Sequence, residues 1–277
     1  MKIFIHTNNK QLLGAKVSAF MYKKIHGIND VEIINTDDME FFKSLHKNKY
    51  LRNKKFETFN NNDLQSFTLS RFVPESITKD DYLIHDPDVF PIKNPIDEIN
   101  KINVKNKKVE TLFAVKNKNN NLFYSSVFFR INRNKKLWFY EELIKQIFKG
   151  TRDYHDLIQL VFHDIKVSIT EIDETFNSFD ELNNKTILLH NTARLTQPWK
   201  TGLKVDFTNH KLNTMGRLKW FFKKPRYLKH PDINQETLFM KNLKDTLNDG
   251  FIEEKELKEA IKNKWIRPDT IDILRKI

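Results

Sequence analysis

The first 35 residues or so constrain the fold most. Lys2 to His6 is a short apolar run of strand length, and Val31 to Ile34 is a second. Between them, Leu12 to Ile25 spaces its apolar residues helically, with Leu13, Val17, Phe20 and Met21 on one side. Strand, helix and strand in so short a span form a βαβ unit, which implies a parallel sheet. In open sheets of that kind ligands gather at the carboxyl ends of the strands, so those ends are where a site is expected.

The rest of the chain extends the pattern. Asn60 to Asp63 reads as a loop, and Leu64 to Phe72 as a helix that ends near Pro74. Tyr82-Leu83-Ile84 is a short apolar strand running into His85-Asp86-Pro87-Asp88. Thr111 to Val115 and Leu122 to Phe129 are strand-like, and the polar turn Lys116 to Asn121 joins them as a hairpin. Leu137 to Phe148 and Tyr154 to Phe162 have helical spacing, and Thr186 to Leu189 is a strand that delivers His190 at its end. From about Asp206 the composition changes. A basic, aromatic stretch, Arg217 to His230, precedes two or three short helices, roughly Asn234 to Asn248, closed by Gly250; Glu253 to Asn263; and Asp269 to Lys276.

At 277 residues the chain can bury a large core without staples, and it contains no cysteine. That excludes disulfides, thiolate metal sites and a cysteine nucleophile, and it fits a reducing compartment. No run approaches the ~20 apolar residues that span a bilayer. The opening MKIFIHTNNK turns polar too soon for a signal peptide, so the expected location is cytoplasmic, or peripheral on the inner face of a membrane. The formal net charge of +12 favours anionic partners such as nucleotide phosphates, acidic membranes, nucleic acid or acidic glycans. A lysine-rich, asparagine-rich proteome would produce the same excess.

Asp86 and Asp88 carry the first chemistry. Carboxylates at i and i+2 face the same side of a strand, and where the chain bends at the strand end both can approach one cation. Hard oxygen ligands suit Mg²⁺ or Mn²⁺, which also bridge diphosphate oxygens. His190, also at a strand end, would add one nitrogen donor and favour Mn²⁺. Taken alone, each has a plainer reading: a turn triplet, and a hydrogen-bonded histidine near the sheet edge.

Together the segments resemble glycosyltransferase family 8, the family of glycogenin and the bacterial lipopolysaccharide galactosyltransferases. KIFIHTNN is similar to its nucleotide-binding first strand, and LSRFVPESITKDDYLIHDPDVF to the segment leading to its DxD motif. LFYSSVFFRINRNKKLW, TRDYHDLIQL and TFNSFDELNNKTILLHNTARLTQPWKTG follow in the family's order. The resemblance covers about residues 1 to 205 and implies an α/β fold of the GT-A type, a Rossmann-like mixed sheet flanked by helices, with a small C-terminal helical extension. It implies a nucleotide-sugar-binding catalytic domain over 1–205, with 206–277 as basic aromatic segment and helical cap. It also implies a metal-dependent, retaining hexosyltransferase that takes a UDP-sugar as donor.

Carried over residue by residue, Asp86, Asp88 and His190 would hold Mn²⁺ or Mg²⁺. Arg71 would lie near the donor phosphates, Thr7 and Asn8 at the base, and Ser125 and Ser126 beside the donor sugar. His155 and Asp156 would line the sugar pocket as the catalytic candidates, with Asp153 a competing position. The chain departs from the family at Asn8, where an acidic base contact is expected, and at His155, which replaces a glutamine. After His190 the family's glycine and lysine are missing, and Lys200 or Arg194 is expected to supply positive charge to the diphosphate. The acceptor would be a glycan or a lipid-linked precursor of a surface polysaccharide.

The 217–230 stretch, RLKWFFKKPRYLKH, suits an anionic membrane surface, packing onto the catalytic domain, or, least well, nucleic acid. A non-catalytic sugar-nucleotide or glycan-binding module on the same fold is the alternative to an enzyme.

Overall fold

The structure, a computed structural model, describes residues 1–102, 111–131, 135–193, 195–208, 215–216 and 225–277. Arg194 and most of the basic aromatic stretch, 217–224, lie outside the described residues. In chain order the elements are β1 (Lys2–Thr7), α1 (Leu12–Phe20) continued by a π-helical turn (Met21–Ile25), β2 (Val31–Asn35) and α2 (Glu40–Ser44). Then come β3 (Lys49–Arg52), β4 (Lys55–Thr58), a 3₁₀ helix (Ser66–Phe72), α3 (Pro74–Ile77), β5 (Tyr82–His85), β6 (Val89–Pro91) and α4 (Pro95–Asn100). After them follow β7 (Thr111–Lys116), β8 (Phe123–Arg130), α5 (Tyr140–Lys149), α6 (Tyr154–Ile158), β9 (Ser168–Ile172), β10 (Ser178–Phe179) and β11 (Leu188–His190). Three helices follow in the C-terminal part: α7 (Ile233–Asn248), α8 (Glu254–Lys262) and α9 (Thr270–Lys276).

The main sheet has six strands in the order β2-β1-β5-β8-β7-β9. β1 runs parallel to β2 and β5, and β7 parallel to β9, while β8 is antiparallel to both of its neighbours. The expected βαβ unit and the β7–β8 hairpin are both present.

Alternation along the strands explains why they read as unbroken apolar runs: both faces are covered. Phe4, Ile84, Leu112 and Phe128 point to one face and pack under α5 and α6 with Leu143, Ile144, Ile147 and Leu157. Ile3, Ile5, Leu83, Val127 and Phe129 point to the other and pack on Ala15, Ala19 and Tyr22 around α1.

A second, three-stranded sheet, β10-β11-β6, crosses the carboxyl end of β5. β11 runs antiparallel to β6 and sets His190 opposite Val89, next to Asp88. The 3₁₀ helix at Ser66–Phe72 replaces the regular helix expected there, and α6 stops at Ile158 instead of running on to Phe162. The β3–β4 hairpin and β9 are elements that the sequence reading does not contain.

The C-terminal helices are docked, not tethered. Phe239, Met240 and Leu243 of α7 share a core with Val17 and Met21 of the first helix, Phe90 of β6, and Trp199. Trp199 and Phe239 stack at 4.6 Å between ring centroids. Of the basic stretch, the described Tyr227 is buried against Val205 and Phe207, and His230 is buried too. Among the described residues no helix is long and apolar enough to cross a membrane.

Candidate metal centre and cleft

Asp86 follows β5 directly and Asp88 precedes β6, so both sit in the turn between the two sheets. The turn rests on α1 at Gly14, where an added Cβ would stand 3.0 Å from the Pro87 carbonyl oxygen. A side chain there would press on the turn that carries both carboxylates, which is reason enough for glycine inside a helix.

Asp86 is buried and fully tied. Arg71 Nε donates to Oδ1 at 3.0 Å and Nη2 to Oδ2 at 2.6 Å, while His6 Nε2 lies 2.7 Å from Oδ1. Burial by itself would raise the Asp86 carboxyl, but the Arg71 guanidinium and the His6 hydrogen bond outweigh it and hold the group well below the usual carboxylate range. It is therefore an anion at neutral pH. His85, which precedes it, is pushed down to about 4 by burial and stays neutral.

Asp88 and His190 are arranged differently. Gln197 Nε2 donates to Asp88 Oδ2 at 2.8 Å, and Gln11 Nε2 in turn donates to Gln197 Oε1 at 3.2 Å. Oδ1 is buried without a hydrogen-bond partner. His190 Nδ1 pairs with Asn177 Oδ1 at 2.8 Å, and the Asn177 amide nitrogen donates to Ser126 Oγ at 3.0 Å. The network thus places a proton on Nδ1, so that in the neutral imidazole Nε2 is a lone pair.

Nε2 lies 3.4 Å from Asp88 Oδ1, which has no other partner. Two acceptors facing each other in a buried place call for a cation between them, either a metal ion or a proton. Burial lowers the His190 imidazole, but Asp88, Asp86 and Asp180 together raise it. One donor atom from each of Asp86, Asp88 and His190 lies within 4.8 Å of the others, and all three residues are buried. The donor set, two carboxylates and one imidazole, fits Mn²⁺ or Mg²⁺.

These residues form the floor of a cavity of ≈ 430 Å³. Its walls include Arg52, Phe67, Arg71, Tyr124, Ser125, Ser126, Tyr154, Gln159, Phe179 and Gln197. Of the residues expected at the site, Asp86, Asp88, His190, Arg71, Ser125 and Ser126 are brought together here. Arg71 also donates from Nη1 to Ser125 Oγ at 2.7 Å.

The others sit elsewhere. Thr7 and Asn8 are buried, and the Asn8 amide nitrogen donates to Asp63 O, Leu64 O and Ser66 Oγ, where it pins the loop that precedes the 3₁₀ helix. Lys200 is fully buried, donates to Asp206 Oδ2 at 3.0 Å and does not line the cavity. On α6 it is Tyr154 and Ile158, with Gln159 just beyond, that line the cavity; His155 is exposed and Asp156 faces His163. Asp153, the competing position, caps the helix by accepting from the His155 backbone.

His6, Asn177 and Gln197, the last steadied by Gln11, hold the three candidate ligands, a role that the sequence reading does not give them. Only His6, a polar residue at the end of an apolar strand, carries a local signal.

No protein-family model matches the chain, and no curated protein matches it. Among solved structures it is similar to the WbbM bifunctional glycosyltransferase, with 11% identity over 73% of this chain and a TM-score of 0.44; the chain spans about half, 47%, of that protein. It is also similar to the galactosyltransferase LgtC, solved in complex with donor and acceptor sugar analogs, with 10% identity over 80% of this chain and 94% of that one and a TM-score of 0.41. The glycosyltransferase GlyE of Streptococcus pneumoniae is 11% identical over 90% of this chain and 64% of that one, with a TM-score of 0.46.

Proposed function

We propose that this chain is a metal-dependent glycosyltransferase that moves a hexose from a UDP-sugar to a glycan or a lipid-linked surface-polysaccharide acceptor, with retention of configuration. What supports this function is one contact: His190 Nε2 facing the otherwise unpartnered Asp88 Oδ1 at 3.4 Å on the floor of a polar cleft. Mn²⁺ or Mg²⁺, held by Asp86, Asp88 and His190, would offset the charge that builds on the leaving diphosphate.

The chain's own residues then have separable tasks. Arg71 keeps Asp86 ionised, Gln197 orients Asp88, and Asn177 fixes the His190 tautomer. Phe67, Tyr124 and Phe179 offer aromatic faces to a sugar ring. Tyr154 and Gln159 stand beside the cavity in place of His155 and Asp156. Among the described residues, Asp86 and Asp88 are the only carboxylates lining the cavity, and both belong to the candidate metal group. With no further carboxylate to serve as nucleophile, front-face attack by the acceptor hydroxyl is the favoured route, and positioning of that hydroxyl contributes much of the rate.

The test is a panel of nucleotide sugars incubated with Mn²⁺, with and without chelator, scoring hydrolysis and transfer. Asp88→Ala is expected to abolish turnover while the far-ultraviolet circular dichroism stays unchanged. Full activity in that variant, or activity indifferent to the chelator, rules the function out.

One observation favours a second reading, a sugar-nucleotide-binding module without turnover. Lys200, one of the two cations that the sequence offers to the diphosphate, is engaged by Asp206, and the other, Arg194, lies outside the described residues. Metal-dependent binding of a UDP-sugar with neither hydrolysis nor transfer would select that reading.

A further inference from the structure

Arginines buried or half-buried in a protein meet an anion, because a guanidinium withdrawn from water without one is costly. Arg71, Arg130, Arg152 and Arg267 obey this, each paired with a carboxylate. Arg52 does not. Among the described residues no carboxylate lies within ion-pair distance of it, and its buried Nε has no hydrogen-bond partner. Glu57, on the same hairpin, attracts it only through space.

The Arg52 guanidinium lies over the Tyr154 ring, 4.3 Å from the centroid, and Nη1 donates to Tyr50 Oη at 3.3 Å. Burial pushes the Tyr50 phenol up to about 12, so Tyr50 is a neutral partner and not a counter-charge.

Its position is fixed from outside the cleft. Asn53 and Lys54, at the tip of the β3–β4 hairpin, are left-handed with φ of 51° and 60°, as a tight two-residue turn demands. Their N–H groups donate to Asp153 Oδ1 at 3.1 Å and Oδ2 at 2.7 Å. The same Asp153 caps α6, which carries Tyr154. One carboxylate therefore locks the arginine and the ring beneath it in register. A stacked guanidinium keeps its edge N–H groups available in the ring plane, the geometry that reads a carboxylate or phosphate with two parallel bonds.

Arg52 lines the main cavity and also an adjoining pocket of ≈ 100 Å³, and the two share Gln65 and Tyr154. We propose that Arg52 is an anion-recognising group of this cleft, selecting a substrate that bears a carboxylate or phosphate beyond the donor diphosphate, on either the transferred sugar or the acceptor. The proposal rests on the sugar-nucleotide function for the identity of the cleft.

Two matched pairs of probes separate the sources. UDP-glucuronate against UDP-glucose, with Mn²⁺, tests the transferred sugar. Glucose 6-phosphate against glucose, on protein saturated with UDP and Mn²⁺, tests the acceptor. The readout is the ratio of acid to neutral affinity by calorimetry, so that a general loss of binding cancels. The wild-type protein is expected to prefer the acid at least about tenfold in one pair. Arg52→Met, which keeps the stacking length without the charge, is expected to bring that ratio to about one. Arg52→Lys, with the charge but not the fork, should fall between. Equal affinities in both wild-type pairs, or a preference that survives Arg52→Met, overturn the proposal. If UDP with Mn²⁺ does not bind at all, the sugar-nucleotide function falls instead, and the glucose 6-phosphate ratio measured on the unsaturated protein still decides Arg52 by the same criterion.

Discussion

Asp86 and Asp88 carry the same group two positions apart, yet their surroundings give their removal very different costs. Replacing Asp86 by asparagine strands the Arg71 guanidinium and the His6 N–H, and removing one partner of a buried ion pair costs about 3 kcal/mol. Asp88→Asn removes a carboxylate whose Oδ1 has no hydrogen bond, and the new amide N–H can donate to His190 Nε2. In chelator, urea unfolding is therefore expected to show a clear loss for Asp86→Asn and a change under about 1 kcal/mol for Asp88→Asn, although both lose metal binding.

The sign of the pH effect follows from the depressed Asp86 carboxyl. Its contribution is full above the unfolded value near 3.8 and fades as the pH falls below it, so the gap between wild type and Asp86→Asn should close in that window. A gap that stays constant through acid would contradict the Arg71 pairing. The two aspartates and His190 were legible in the sequence because a charged or polar group at the end of an apolar strand is a local signal. Asn177 and Gln197 were not, because what makes them matter is a partner far away along the chain.

At the scale of elements, what the sequence hid is informative. The β3–β4 hairpin turns on Asn53-Lys54 without a glycine, so the usual mark of a tight turn is missing. α6 is a five-residue helix, and so short a helix cannot fix by periodicity which of its side chains faces inward. That is why His155 and Asp156 were expected in the pocket while the structure turns Tyr154 and Ile158 toward it. By contrast, the first helix was legible from its period, and β1, β2 and the β7–β8 hairpin from apolar runs of strand length bounded by polar turns.

The hairpin makes its own prediction. The Tyr50 phenol, raised to about 12 by burial, is protonated in the fold when the unfolded chain has begun to ionise near 10. Its contribution is complete below about pH 10 and is lost as the pH climbs toward 12, on the order of 3 kcal/mol in all. Tyr50→Phe should flatten the alkaline stability curve in that window, and an unchanged curve would show that Tyr50 is not held as described.

At the scale of the molecule, the C-terminal helices share a core with the first helix and are expected to unfold together with the sheet. Leu243 is fully buried in a core that α7 shares with the first helix and Trp199. Leu243→Ala is expected to cost about 3 kcal/mol and to lower a single melting transition. Two separated transitions would mean that the helices melt as their own unit. Trp199 Nε1 also donates to Gln11 Oε1 at 3.2 Å, so this core touches the hydrogen-bond chain that orients Asp88.

Ser125 and Ser126, consecutive on β8, face opposite ways and grip the two halves of the centre. The first accepts from Arg71, which holds Asp86, and the second accepts from Asn177, which holds His190. Asp88 and His190 themselves lie about a hundred residues apart along the chain, so closing that loop is entropically slow and comes late. Folding must finish before the site exists. An ion there would act as a latch on departure and not as a nucleus for arrival: Mn²⁺ should slow unfolding severalfold and leave the refolding rate unchanged. Stopped-flow unfolding and refolding with and without Mn²⁺ would measure both, and faster refolding in Mn²⁺ would place the assembly of the centre early instead.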